Sequence, residues 1–334
     1  MRGAFAIVLL SLVGAVGCGD ATADIQAGQH GKRLNLVSGE ATSDGIGRDL
    51  ALVAVHREAS GNAAAVAPLY RDVAGVVLTD PKSGAQRLQQ WVLSQDGTEL
   101  KSRFCPVKTE GGVNFNDCLP WNRAQSLSDL ALSDVGPVRS FSTYLFADES
   151  QKPVLAQVVF DMAGTERVER TCPIVGNIVD WADCSNWLAL EESASALGVP
   201  QQGAFDDEVV VPYVDKQGNP QFTQQLITPS GDAAWARTCT MTDGQIPGIG
   251  GTCPFAPQVR LSALGIHFDA VQGVGGYQYT DGEARIYAQT AIAADGVSAS
   301  RRLCPVTAEG VAFEQCLGWE PVDLTELAKH GSTL

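Results

Sequence analysis

The chain has 334 residues, of which 45% are hydrophobic. It is therefore long enough for one large β domain or two smaller domains with a sizeable core. Its formal net charge of −15 opposes binding to nucleic-acid phosphates. We expect no nucleic-acid partner.

The N-terminus reads MRGAFAIVLLSLVGAVGCGDATA. Arg2 precedes an apolar run from Ala4 to Val16, and small residues follow, which is typical of a secretory signal peptide. The run is shorter than the roughly 20 apolar residues that span a membrane. We predict a signal peptide over residues 1–17.

The sequence AVGC (Ala15 to Cys18) resembles a bacterial lipobox. That resemblance implies a lipoprotein in which the Cys18 thiol carries a diacylglycerol. The alternative is cleavage by ordinary signal peptidase after ATA (Ala21 to Ala23). Gly19, in place of Asp, favours the outer membrane. We therefore expect an exported protein anchored to the bacterial cell envelope, on the outer membrane, at its periplasmic or surface face.

Two segments separate this N-terminus from the rest of the chain. Residues 18–48 are rich in Gly, Ser, Asp and Ala and predict a flexible tether. Residues 49–70 read as an extra hairpin that lies outside the repeats described next.

Eight of the nine cysteines fall into four close pairs, whose first members are 67, 67 and 65 residues apart. An even number of cysteines in an exported chain favours disulfides, and the regular spacing indicates an internal repeat. We place the repeat units at 71–135, 136–203, 204–268 and 269–334. The predicted bridges are Cys105–Cys118, Cys172–Cys184, Cys239–Cys253 and Cys304–Cys316.

Each unit reads as four β-strands, most clearly the second: VRSFSTYLFAD, PVLAQVVFDM, TERVERTCPI and IVDWADC. Eight residues before its first Cys each unit has a Gly, which predicts a two-residue type I′ hairpin turn. A short Leu-bearing stretch follows the fourth strand, and we predict one or two helical turns there. The four stretches are SLSDLAL, ESASALG, RLSALG and DLTELAKHG.

Four tandem four-stranded antiparallel units predict an all-β fold, namely a four-bladed β-propeller with short helices between the blades. The second strand of each unit is apolar on both faces, as expected for a blade that is covered by neighbours on both sides. The alternative is two sandwich-like domains of two units each.

The arrangement resembles the hemopexin-like propeller in architecture, because each of four blades would end in a short helix and contain a disulfide. FDA (Phe268 to Ala270) is similar to the start of that family's first strand. The resemblance implies the fold only.

Each unit also has a Gln fifteen residues and an Arg two residues before its first Cys. A two-residue hairpin turn would place each Gln directly opposite its Arg. We predict buried, hydrogen-bonded cross-strand pairs that hold one unit against the next; the alternative is a ring of Arg that binds an anion. The pairs are Gln90–Arg103, Gln157–Arg170, Gln224–Arg237 and Gln289–Arg302.

No catalytic motif is visible. The histidines are scattered, and the chain has no nucleophile elbow, phosphate-binding loop or dinucleotide fingerprint. We assign no catalytic or metal-ligating residue and expect no cofactor. The acidic runs Asp148-Glu149 and Asp206-Asp207-Glu208 are interpreted as solvated loops rather than Ca²⁺ ligands.

These observations favour a lipid-anchored envelope protein that acts as a binding or scaffold module rather than an enzyme. Its expected partners are the membrane, through the N-terminal lipid, and an envelope protein or a small ligand. The alternative is an envelope hydrolase with a carboxylate site built from propeller loops. A pocket with two facing carboxylates of raised pKa would favour the hydrolase.

Overall fold

The computed structural model describes residues 70–108, 112–122, 124–132, 135–148, 150–190, 205–241 and 253–324. The chain divides into two units, Met1–Ala51 and Leu52–Leu334, and the described residues all belong to the second. The predictions for the signal peptide, Cys18 and the tether lie outside the described residues. So does the extra hairpin, except for Tyr70, which begins the first strand.

Within the described residues, each sequence unit forms one antiparallel sheet. Blade 1 contains β1 (Tyr70–Thr79), β2 (Gln86–Ser94), β3 (Glu99–Pro106) and β4 (Gln125–Ser126). Blade 2 contains β5 (Val138–Ala147), β6 (Pro153–Asp161), β7 (Arg167–Val175), β8 (Ile178–Val179) and β9 (Leu188–Leu190). Blade 3 contains β10 (Asp207–Val214), β11 (Pro220–Ile227), β12 (Ala233–Thr240) and β13 (Val259–Arg260). Blade 4 contains β14 (Val271–Asp281), β15 (Ala284–Ala293), β16 (Ala299–Thr307), β17 (Gly310–Val311) and β18 (Glu320–Val322).

The first strand of each blade is the inner strand. Each inner strand contacts those of the two neighbouring blades, in the cyclic order β1, β5, β10, β14 and back to β1. This arrangement is a four-bladed β-propeller whose axis is lined by the four inner strands. The predicted fold is confirmed, and the two-sandwich alternative is wrong.

The second strand of each blade is an inner part of its sheet, between the first and third strands. The run from Leu88 to Leu93 is buried at every position, and so is the run from Val154 to Phe160. Side chains on opposite faces of a strand point to opposite sides. Both faces are therefore covered, which explains why these strands lack a polar face in the sequence.

The fourth strand of a unit is interrupted. After β7 the chain turns back as β8, forms a 3₁₀ helix over Trp181–Asp183, and returns as β9 beside the start of β7. The prediction of one continuous strand over IVDWADC is wrong. The Asp180 carboxylate accepts a hydrogen bond of 3.2 Å from Ala182 N and caps the helical turn that breaks the strand. Blade 4 repeats this order with β17, Phe313–Gln315 and β18.

The hairpin turns between second and third strands differ from the prediction in type. Each turn glycine has a φ between 67° and 71°. The residue before it does not have a positive φ, as a type I′ turn would require. Each glycine N–H instead donates to the carbonyl three residues earlier at 2.8–2.9 Å, as in a type I turn. The four glycines are Gly97, Gly164, Gly231 and Gly296.

The predicted helical turns are only partly within the described residues. The third is a 3₁₀ helix over Leu261–Leu264, whereas the first is a series of turns after Ser126. The second, and most of the fourth, lie outside the described part. Of the helices that are described, none has the length and apolar character needed to cross a membrane.

Candidate functional site

The four Gln–Arg pairs form cross-strand hydrogen bonds. In each blade the Arg Nε donates to the Gln Oε1 across the second and third strands. The donor–acceptor distances are 3.0 Å for Arg103–Gln90, 2.8 Å for Arg170–Gln157, 2.6 Å for Arg237–Gln224 and 2.9 Å for Arg302–Gln289. Three of the Arg side chains are buried, and Arg170 is half-buried.

Each of these guanidinium groups also lies against two aromatic rings. The nearer ring centroid is 4.5–4.6 Å from the Arg Cζ and the farther one 5.6–5.9 Å, within the range of cation–π attraction. The ring pairs are Trp121 and Phe115, Trp187 and Trp181, Phe255 and Phe222, and Trp319 and Phe313. In blades 1, 2 and 4 the second ring is three residues before the second Cys, a signal that the sequence contained.

Two of the guanidinium groups, those of Arg170 and Arg302, also bind the connection that arrives from the preceding blade. Arg302 Nη2 donates to Leu264 O at 2.8 Å, and Trp319 Nε1 donates to Gly265 O. In blade 2, Trp187 Nε1 donates to Leu130 O at 2.7 Å. None of the four repeated Arg residues lines the axial cavity described below. The contacts of the repeated Arg residues are thus made within and between blades, away from that cavity.

The four predicted disulfides are present: Cys105–Cys118, Cys172–Cys184, Cys239–Cys253 and Cys304–Cys316. In three blades the second Cys follows the 3₁₀ turn, rather than lying in a fourth strand as predicted. The bridge thus holds the turn that supplies an aromatic ring to the Arg. Four disulfides within one domain are typical of an exported protein, because they persist in oxidising compartments.

Acidic side chains connect the inner strands at the end of the axis where these strands begin. Asp72 accepts hydrogen bonds from Val73 N at 2.7 Å and from Phe141 N, in the next blade, at 2.8 Å. Asp207 repeats this arrangement with Glu208 N at 2.7 Å and Val274 N at 2.5 Å. Blade 1 is thereby joined to blade 2, and blade 3 to blade 4.

Burial disfavours the charged form of these carboxyls. It raises the pKa of Asp72 to about 7, against the hydrogen bonds from Phe141 and Val73. Burial also raises the pKa of Asp207, and the negative charge of Asp72 raises it further. Burial raises the pKa of Asp206 to about 6 despite its ion pair with Arg139, whose Nε lies 2.6 Å from Asp206 Oδ1.

The interpretation of Asp206-Asp207-Glu208 as a solvated loop is wrong, because all three side chains are buried where β10 begins. Glu208 forms an ion pair with Arg167 of the preceding blade, with 2.7 Å between Arg167 Nε and Glu208 Oε2. Gln224 Nε2 donates to Glu208 Oε1 at 2.7 Å. This acidic run therefore links blade 3 to blades 2 and 4.

A cavity of about 210 Å³ occupies the other end of the axis, between the C-terminal halves of the four inner strands. Its walls include one level of the propeller at which Gly75, Thr143, Val210 and Gly276 lie on the four inner strands. These four residues pair with Gln90, Gln157, Gln224 and Gln289 of the second strands. The sequence repeat is thus kept on the second strands and lost on the inner ones.

Two of these four positions are glycines, and each makes room for neighbouring side chains. A Cβ on Gly276 would lie 2.6 Å from Tyr287 Cε2 and 2.4 Å from Ala288 O, so a larger residue there would collide with both. Gly276 therefore allows the Tyr287 ring, which comes from β15, to reach past the inner strand and line the cavity. The corresponding positions of the other blades are occupied by Leu88, Leu155 and Phe222.

Two hydroxyl groups in the wall of the cavity have no hydrogen-bond partner in the described part of the chain. They are Thr143 Oγ1 and Tyr287 Oη. Thr143 is 9% exposed and Tyr287 only 2% exposed. Leaving a buried polar group unpaired costs about 1–3 kcal/mol. Both groups can donate and accept. Their oxygens are covered in this structure, so a bound molecule would pair with them only after the atoms that cover them move aside.

A smaller space of about 20 Å³ continues along the axis, lined by Thr143, Glu208 and Tyr287 among others. That volume suits one water molecule. Burial raises the pKa of Tyr287, and the negative charges of Asp207 and Asp72 raise it further, so the phenol is neutral and can donate. Polar side chains therefore lie along the axis between the larger cavity and the Asp72 and Asp207 carboxyls at the other end of the inner strands.

Arg285 is the only charged side chain that lines the larger cavity, among the residues described. The described lining of the larger cavity contains no carboxylate. Asp72 and Asp207, two of the three carboxyls whose pKa is raised, bind backbone N–H groups at the opposite end of the inner strands. No group of three or more metal-ligating side chains occurs in the part of the chain that the structure describes.

No protein-family model and no curated protein matches this chain. Solved structures with a similar arrangement include the fucose-specific lectin from Aleuria aurantia, with 7% identity, 76% of this chain and 80% of the lectin covered, and a TM-score of 0.35. An endo-arabinase from Bacteroides thetaiotaomicron VPI-5482 has 14% identity, coverage of 78% and 82%, and a TM-score of 0.33. AofleA from Arthrobotrys oligospora has 8% identity, coverage of 78% and 88%, and a TM-score of 0.32. These low scores carry no information about the ligand of this chain.

Proposed function

We propose that this exported propeller is a binding module and that it binds one small polar molecule in the axial cavity. The observation that carries the proposal is the pair of buried, unpartnered hydroxyls, Thr143 Oγ1 and Tyr287 Oη, in the wall of the cavity. Unpaired groups of this kind reduce the stability of the fold. A ligand that pairs with them recovers that cost on binding.

The shape of the cavity supports a small ligand. Pockets for drug-sized molecules usually measure about 300–1,000 Å³, whereas this one measures about 210 Å³. Three tyrosines besides Tyr287 line it, namely Tyr144, Tyr277 and Tyr279. Aromatic walls with a few polar groups are the usual composition of a site for an organic molecule.

A thermal-shift panel tests this function. The wild-type chain, Thr143→Val and Tyr287→Phe would be screened with monosaccharides, sugar acids, polyols, amino acids and small carboxylates. Each substitution removes one hydroxyl and little volume, so we expect the free proteins to be as stable as wild type or slightly more stable. We expect at least one compound to stabilise wild type and to bind each variant about tenfold more weakly.

The matched control is Tyr213→Phe, because Tyr213 is buried but does not line the cavity. It should leave ligand affinity unchanged. If every compound that stabilises the wild type stabilises Thr143→Val and Tyr287→Phe equally, or if none stabilises the wild type, the axial cavity is not a binding site.

The proposal includes a lipid anchor at Cys18, supported by the lipobox-like AVGC sequence. The tether over residues 18–48 would then allow the propeller to work at a distance from the outer membrane. Cell fractionation would decide whether it lies on the periplasmic or the surface face. Cys18→Ala should release the protein from membranes. Wild-type protein that is soluble and begins at Asp24 would contradict the anchor but not the binding function.

A further inference from the structure

The charge of the axial cavity differs from that of the chain. The sequence has 38 acidic and 23 basic residues, yet the only charged side chain in the described lining is Arg285. Arg285 is the second residue of β15, directly opposite Thr280 on β14, and is exposed to solvent. A cation would therefore meet a positive charge when it enters.

No carboxylate neutralises Arg285 within the described residues. Ion pairs connect Arg139 with Asp206 and Arg167 with Glu208, but no described carboxylate oxygen lies within 4.0 Å of the Arg285 nitrogens. Partial burial lowers the pKa of Arg285, and no neighbouring charge contributes to that shift. Asp281 and Glu283 belong to the adjoining hairpin but do not line the cavity.

The other polar groups of the cavity are neutral. Thr143 and Tyr287 have hydroxyls, and Gln86 and Gln278 have amides. The Gln86 amide already donates to Thr79 Oγ1 and accepts from Thr280 N. Gln278 Nε2 donates to Pro212 O at 2.7 Å, which leaves its carbonyl oxygen as the free end of that amide. Hydroxyls and amides of this kind bind ligand hydroxyl groups, since each can match a donor or an acceptor.

We infer that the ligand is a small hydroxylated carboxylate, with the size of a single acidic sugar, whose carboxylate pairs with Arg285 and whose hydroxyls contact Thr143 and Tyr287. This inference rests on the proposed function. The guanidinium can bind a carboxylate through two parallel hydrogen bonds. The chain's net negative charge opposes entry only weakly at physiological salt, where the screening length is about 8 Å.

Calorimetric titration with matched sugar pairs tests the inference. The probes are glucuronate against glucose and galacturonate against galactose, since the members of each pair differ at one carbon only. The full chain would be titrated as wild type, Arg285→Gln and Arg260→Gln. Arg260 is exposed and does not line the cavity, so its substitution makes the same change of net charge elsewhere.

We expect at least one sugar acid to bind wild type and Arg260→Gln at least tenfold more tightly than its neutral partner. Arg285→Gln should remove that preference. The inference is overturned if the neutral sugar binds as tightly, or if Arg285→Gln keeps the preference. It is also overturned, with the proposed function intact, if neither acid binds while another panel compound binds in a Thr143- and Tyr287-dependent manner. If no compound binds, both proposals fail.

Discussion

Arg302 and Gln289 lie directly opposite each other on β16 and β15, and Arg302 Nε donates a hydrogen bond of 2.9 Å to Gln289 Oε1. The same guanidinium lies 4.6 Å from the Trp319 ring centroid and binds Leu264 O. One side chain thus connects two strands of blade 4, its outer loop and the connection from blade 3. The other three blades repeat the Arg–Gln pair.

Arg302→Ala should lower the free energy of unfolding by about 3 kcal/mol, because it leaves buried acceptors unpaired and removes packing. Arg170→Ala should cost less, since Arg170 is half-buried and its bond to Leu130 O is long, at 3.5 Å. Denaturant titration of the oxidised protein would measure both. A loss below about 0.5 kcal/mol for Arg302→Ala, typical of a surface change, would refute this role.

The turn glycines test how tightly consecutive blades dock. Gly97 has φ +71°, and a Cβ there would lie 2.0 Å from Val138 O in the next blade. Gly84 has the same φ, but a Cβ there would meet nothing within 4 Å. Gly84→Ala should therefore cost about 1–2 kcal/mol from backbone strain alone. Gly97→Ala should cost about 4 kcal/mol or more, or prevent folding.

Denaturant titration, with circular dichroism to monitor folding, separates the two effects. Equal losses for Gly97→Ala and Gly84→Ala would mean that the turn of blade 1 does not dock against β5 as closely as described.

Sequence reasoning could predict the blades because the residues that pair within each blade recur. Gln and Arg at constant offsets reproduce the observed register in every hairpin. The predicted type I′ turn is wrong, because a type I turn followed by a left-handed Gly gives the same strand register as a two-residue type I′ turn. The broken fourth strand was missed because alternation of apolar residues over IVDWADC does not reveal a 3₁₀ turn.

The axial site could not be predicted from the repeat, because it is built from positions at which the four units differ. At one level of the inner strands the residues are Gly75, Thr143, Val210 and Gly276, and at another Asp72, Ser140, Asp207 and Gly273. A comparison of repeats identifies only the residues that the units share. Tyr287 differs in the sequence only as the polar residue at a position where the other units have Leu88, Leu155 and Phe222.

The buried carboxyls predict an unusual dependence of stability on pH. The folded-state pKa of Asp72 is about 7 and that of Asp206 about 6, and the pKa of Asp207 is also raised. An unfolded Asp has a pKa of about 3.9. Between these values the folded state binds more protons, so its free energy of unfolding falls as the pH rises from about 4 to 7.

Denaturant titrations between pH 5 and 7.5 would measure this slope. Asp72→Asn should flatten it, because the variant removes one titrating group and the charge that raises the pKa of Asp207. Asp80→Asn is the control, since Asp80 is partly exposed and its pKa is lowered by hydrogen bonds from Ser83 and Lys82. Parallel profiles for wild type and Asp72→Asn would show that these carboxyls do not titrate as described.

The six tyrosines of the chain allow one direct test of the axial binding site. Tyr144, Tyr277, Tyr279 and Tyr287 line the cavity, whereas Tyr70 and Tyr213 do not. Full-length protein with ¹³C-labelled tyrosine rings would be titrated with the best compound of the thermal-shift panel, and the ring resonances assigned by Tyr→Phe substitution. Binding in the cavity predicts saturable shifts of the four lining tyrosines, largest at Tyr287, with Tyr70 and Tyr213 unchanged. Shifts confined to Tyr70 or Tyr213, or none at all on saturation, would contradict binding at the axis.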